Sequence, residues 1–104
     1  MTYDTYNTMV KKFHELEIKI GETKGKEYSN STDRLDNFKR IATELNISPS
    51  LVGLIYLTKH LDAIKFAIKN KHTLSESFES RILDARVYLL LIYALLEDEL
   101  NKKS

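Results

Sequence analysis

The chain contains no cysteine, and that absence removes disulfide scaffolds, thiol nucleophiles and thiolate metal sites together. It fits a reducing compartment, and a cytoplasmic location is the expectation. One proline and three glycines in 104 residues are too few turn formers for a β-rich fold, whose hairpins depend on them. Neither sign of charge dominates. Sixteen Lys+Arg face 15 Asp+Glu, so no global basic field draws the chain onto nucleic acid. Long apolar runs are missing too. The longest, Val87 to Leu96, is ten residues, about half of what a membrane-spanning helix needs. The opening MTYDTYNTMVKKF has no apolar stretch behind a basic start, so no secretory signal is expected. These absences predict one small domain with no membrane or nucleic-acid partner.

What is present is helical periodicity. Tyr6, Met9, Val10, Phe13, Leu16 and Ile20 recur at spacings of three and four, which predicts an amphipathic helix over about 4–19 ended by Gly21. The polar text from Gly21 to Thr32 reads as a loop, with at most a turn of helix at Lys26 to Tyr28. Ser31 or Thr32 can cap a second helix, 33–45, whose apolar side is Leu35, Phe38, Ile41, Ala42 and Leu45. Ser48 as cap and Pro49 at the first helical position start a third, 49–70, carrying Val52, Ile55, Leu61, Ile64 and Ile68. Thr73 and Glu76 form a possible capping box for a fourth, 76–100. The expected fold is all-α, a single domain resembling a four-helix bundle.

The fourth helix adds a further expectation. Val87 to Leu96 is apolar around its whole circumference, and such a helix has to be covered on every side. Three partner helices in so short a chain cover only part of it, so it is either the central helix of an unusually compact bundle or one that a second copy completes. Leaving the remainder bare would exceed the apolar patch typical of a monomer. The expectation is a homo-oligomer joined through this helix.

Candidate functional residues cluster on the last two helices. Arg81, Asp84 and Tyr88 share a face that continues into the apolar stretch, with Glu79 and Arg86 on adjoining faces. Lys59, His60 and Asp62 form a matching polar group on the third helix. Charges embedded in apolar stripes need partners. They are either interhelical ion pairs that fix register or the walls of a ligand pocket. A pocket on the first half of the last helix would border the subunit contact.

The stretch from Glu79 through Arg81, Asp84 and Tyr88 resembles the last helix of the all-α, MazG-like nucleotide pyrophosphohydrolases. There a magnesium-binding Glu-x-x-Asp precedes an apolar run with a tyrosine. Upstream, Lys24-Gly-Lys-Glu27-Tyr28-Ser, Asp33-Arg34-Leu-Asp-Asn37-Phe38-Lys39-Arg40 and Lys59-His60-Leu-Asp62-Ala-Ile are similar to small phage and prophage proteins. The resemblance spans roughly residues 24–96. It implies a nucleotide-related role in the cytoplasm of a bacterial host. If the hydrolase resemblance holds, magnesium would be the cofactor, with Glu27, Asp62, Glu79 and Asp84 as its carboxylates.

The chain departs from that pattern where the metal would be held. Arg81 stands three before Asp84 where the class has Glu, and the one Glu-x-x-Glu, Glu76 to Glu79, falls on the same helix as Asp84. Cations repel a metal and attract phosphate directly. The favoured expectation is therefore nucleotide binding without catalysis and without a cofactor. Lys59, His60, Arg81 and Arg86 would take phosphates, and Tyr28, Phe38, Tyr88 or Tyr56 would stack a base, with Arg34 and Asp84 in the same site. In size and character this resembles phage sponge proteins, which sequester cyclic or ADP-ribose-derived signals of bacterial immunity. A helical protein-protein interaction module, all of whose charges are structural, is the remaining reading. His14, His60 and His72 show no zinc-ligand spacing, and Lys11-Lys12 and Lys39-Arg40 read as solvated faces.

Overall fold

The computed structural model describes residues 1–28, 33–70 and 78–102, with side chains for 1–22, 33–70 and 78–101. Among the described residues there are four helices and no strand: α1 (Tyr3–Tyr28), α2 (Asp36–Leu45), α3 (Pro49–Lys69) and α4 (Phe78–Lys102). The all-α expectation holds. Two boundaries differ from the periodicity. Gly21 does not end α1, which continues through Tyr28. A lone helical glycine costs only about 1 kcal/mol against Ala, and no proline follows to enforce a stop. Helix α2 begins at Asp36 rather than 33 because Asp33 folds the chain into a turn first. The Asp33 carboxylate accepts the Leu35 N–H at 2.9 Å, and its carbonyl accepts the Asp36 N–H at 3.2 Å. The suggested caps Ser31 and Thr32, and the Thr73–Glu76 box, lie outside the described residues.

The α2–α3 junction follows its sequence closely. Asn46 takes the left-handed conformation (φ 56°) that closes many helices, and the Ile47 N–H reaches back to the Ala42 carbonyl at 3.0 Å. Ser48 Oγ then accepts the Leu51 N–H at 3.3 Å, with Pro49 at the first helical position. A carboxylate also guards the same helix start. Glu99, near the end of α4, accepts the Ser50 N–H at 2.8 Å and the Ser50 hydroxyl at 3.0 Å. Negative charge is favourable at a helix N-terminus, so this contact locks the end of α4 to the beginning of α3.

Helices α3 and α4 form the antiparallel centre: Ser50 meets Glu99, and ten residues along α3 His60 meets Asp84. Gly53 makes the close approach possible. A Cβ there would lie 2.9 Å from Ile92 Cγ1 and 3.3 Å from Leu95 Cδ1. Helix α2 lies across this pair, and Phe38, Ala42, Val52 and Leu95 make the buried core cluster beneath it. Helix α1 lies along α4 in the same direction, joined by Lys12–Glu79 at 2.7 Å and by Glu17–Arg86.

Burial corrects three face assignments. The covered face of α3 is Val52, Gly53, Leu57 and Ala67, while Ile55, Leu61 and Ile68 are exposed. Leu45 of α2 is exposed too, as are Tyr6 and Met9 of α1. The middle of α3 is apolar all round, so periodicity could not choose its inner side. The choice falls on the side with the smallest residue.

Lys39 is likewise not on a solvated face. Its ammonium donates to Asp33 at 2.7 Å and pairs with Asp98 at 3.0 Å, joining the entry of α2 to the end of α4. The hydrogen bond to Asp33, then that to Asp98, hold its pKa above the ordinary 10.5. A folded pKa that is raised stabilises fully below the unfolded value and loses that contribution as pH climbs through the folded one. Lys39→Met is thus expected to cost about 1–2 kcal/mol at neutral pH. The difference in urea midpoint from wild type should close as pH rises above 10.5. A gap unchanged to the highest pH the fold tolerates would rule the clamp out.

Candidate ligand cavity

Three helices converge on one concave site of about 650 Å³, within the range of small-molecule pockets. Each contributes residues at helical spacing, which is why one wall can hold several of them. Arg34 comes from the turn that precedes α2 and Asn37, Phe38, Arg40 and Ile41 from α2 itself; from α3 come Tyr56 and His60, one turn apart; from α4, Asp84, Val87, Tyr88 and Leu91. Ile20 of α1 closes an edge.

The inner wall is aromatic. Tyr56 and Tyr88 stack with centroids 6.0 Å apart and planes inclined 28°, and Phe38 presents its edge to both, at 6.2 and 6.3 Å. The His60 ring lies over Tyr88 at 4.7 Å. Its Nδ1 approaches Asp84 Oδ2 at 4.0 Å, and both side chains are about a quarter exposed. This is an ion pair only when the imidazole is protonated. Around the mouth, Arg34 and Arg40 are exposed, and Arg40 reaches Glu44 at 3.3 Å in a solvated one-turn pair. The site therefore combines a flat aromatic wall, two guanidinium groups at the rim and one carboxylate inside.

Of the residues proposed from sequence, Arg34, Phe38, His60, Asp84 and Tyr88 line this cavity, and Tyr56 joins them. Others lie elsewhere. Lys59 is exposed on α3, one position round from His60. Arg86 pairs with Glu17 and lies over the Phe13 ring at 5.3 Å, so it fastens α1 to α4. Arg81 is half-buried outside the cavity lining, and its Nε has no hydrogen-bond partner among the described residues. The side chains of Tyr28 and Glu27 lie outside the described residues. The proposed carboxylate set is dispersed: Glu79 holds Lys12 and Asp62 is exposed. No three His, Asp or Glu side chains come together as a metal site among the described residues.

Sequence reasoning missed Asn37 and Arg40, although Arg34, Asn37 and Ile41 stand at i, i+3 and i+7. On α4 the cavity residues Asp84, Val87, Tyr88 and Leu91 lie on average roughly 160° around the axis from the exposed Ile82, Leu89, Tyr93 and Leu96, at 3.6 residues per turn. Cavity and exposed apolar row occupy opposite sides of the helix. Comparison with known proteins matches no family model, no curated protein and no solved structure.

Proposed function

We propose that the chain binds a planar, anionic small molecule of the nucleotide class in this cavity and holds it without turnover. The observation that carries this reading is the pairing of a stacked aromatic wall with the Arg34 and Arg40 guanidinium groups at its mouth. A base gains from ring stacking, and phosphates gain from planar guanidinium donors. The dispersal of Asp62 and Glu79 from Asp84 favours binding over magnesium-dependent hydrolysis, in which several carboxylates hold the metal together. The biological form of this proposal is a sponge for a cyclic or ADP-ribose-derived signal of bacterial immunity, in the cytoplasm of a phage's host. It acts as an oligomer whose contact includes α4.

Thermal-shift and calorimetric titration with cyclic dinucleotides, ADP-ribose and ATP, each with and without magnesium, tests it. At least one should raise the melting temperature without magnesium and be recovered chemically intact after heat denaturation. Arg34→Glu, an exposed change, should weaken that ligand at least about tenfold, the equivalent of roughly 1.4 kcal/mol. No shift with any nucleotide, equal binding by Arg34→Glu, or recovery of a hydrolysed product would each overturn the reading.

A further inference from the structure

We infer that two copies of the chain pair through a face built jointly from α3 and α4, leaving their cavities open on the outside. This builds on the self-association proposed above and names its surface. On α3, Leu54, Leu61 and Ile68 stand seven residues apart; on α4, Ile82, Leu89 and Leu96 do the same. All six are exposed, by 38% to 56%. Seven-residue spacing keeps a row on one side of a helix, as in packed helical bundles.

The two rows form one surface. At about 100° per residue, each lies roughly a quarter-turn past the side its helix gives to the other, in the same rotational sense. Because α3 and α4 run antiparallel, equal senses bring both rows to the same side of the pair. Helix α2 and the cavity occupy the other side.

What lies among the rows suits burial. Thr58 stands between Leu54 and Leu61, and its hydroxyl already donates to the Leu54 carbonyl at 3.0 Å. The Tyr93 hydroxyl, beside Leu89 and Leu96, is hydrogen-bonded to Glu97. Neither would lose a partner on leaving water. Lys65 is the one charge within the rows, and its long stem can carry its ammonium to an edge.

The occupant is a second copy on grounds of area and shape. With Leu51, Tyr93 and Leu100 at its borders, the face offers on the order of 900 Å² per chain, against roughly 800 Å² per partner in a standard stable interface. A two-fold axis lays one antiparallel pair on another and completes a four-helix arrangement with each row facing apolar residues. A membrane surface is the poorer match. Interfacial helices are bordered mainly by Lys and Arg, whereas here Asp62 and Glu97 offset Lys65 and Lys69 along the rows.

Sedimentation velocity on the full chain, from low micromolar upward, should give twice the 12.1 kDa chain mass. Leu89→Glu, and separately Leu61→Glu, should raise the dissociation constant at least about a hundredfold while circular dichroism stays helical. Arg34→Glu should remain dimeric. A wild type that stays monomeric to about 100 μM, or variants that both stay dimeric, overturns the inference, as does flotation with phosphatidylserine vesicles in place of self-association. The ligand reading fails separately. A dimer that binds no nucleotide sinks only the cavity proposal, and a monomer that binds one sinks only the interface.

Discussion

Replacing Leu95 with alanine is expected to destabilise the fold by about 3–5 kcal/mol, a large share of what a domain this small has to lose. Leu95 is completely inaccessible and packs where all the pieces of the core meet. Phe38 and Ala42 come to it from α2 and Val52 from α3, and its Cδ1 is one of the three atoms nearest the bare backbone of Gly53. The deletion therefore removes transfer energy and also leaves a hole. The walls of that hole belong to three helices already held by the Ser50–Glu99 and Lys39–Asp98 contacts, so collapse to fill it is restricted. Ile18→Ala supplies the contrast. Ile18 is 65% exposed on α1, and its loss should change stability by no more than about 0.5 kcal/mol. Urea denaturation of both variants at one protein concentration, which keeps any stabilisation by association constant, makes the comparison. A Leu95→Ala cost below about 1.5 kcal/mol would mean that the core is not centred on this side chain.

The division between what the sequence disclosed and what it hid follows from the range of the interactions. Local signals read correctly: Ser48 and Pro49 open α3 as their chemistry requires, and Phe38 and Ala42 of α2 point inward. So did part of the cavity, because Asp84 and Tyr88 are one-turn neighbours whichever way the helices pack. Long-range pairings did not. Nothing near Arg86 indicates that Glu17 will claim it, and nothing near Lys39 indicates Asp98, so both were assigned to the wrong surroundings. The hardest case was α3. From Leu51 to Leu57 it is almost wholly apolar, so hydrophobicity could not say which side turns inward. The inner side proved to be the one that admits closest approach, and the displaced apolar residues became the exposed row at Leu54, Leu61 and Ile68. An apolar surplus on both central helices explains why this chain has a small core and a large bare face at the same time.

Gly53→Leu is the second large expected loss, about 3 kcal/mol or more, because it acts on the spacing of the two central helices. Two effects oppose each other at this position. Any residue but proline in place of a helical glycine gains up to about 1 kcal/mol of backbone propensity. Against that, even a methyl group would meet Ile92 Cγ1 at 2.9 Å, near the base of a β-branched side chain that cannot swing away. Alanine should therefore fall between neutral and about 2 kcal/mol destabilising, and leucine, with three more carbons to place, should force α3 and α4 apart. Ile92→Ala removes the obstructing atom. Combined with Gly53→Ala it should be more stable than the sum of the single changes predicts, by about 1 kcal/mol in a double-mutant cycle. The same displacement should reach the cavity. Tyr56 lies one turn along α3 from Gly53 and stacks on Tyr88 of α4 at 6.0 Å, so separating the helices should unstack the aromatic wall. The chain has no tryptophan, which leaves tyrosine to dominate the near-ultraviolet circular dichroism. Gly53→Leu should reduce that signal while the far-ultraviolet helical signal persists, and nucleotide affinity should fall with it. A stable Gly53→Leu with its tyrosine signal intact would show that the helices do not cross as closely as this glycine allows.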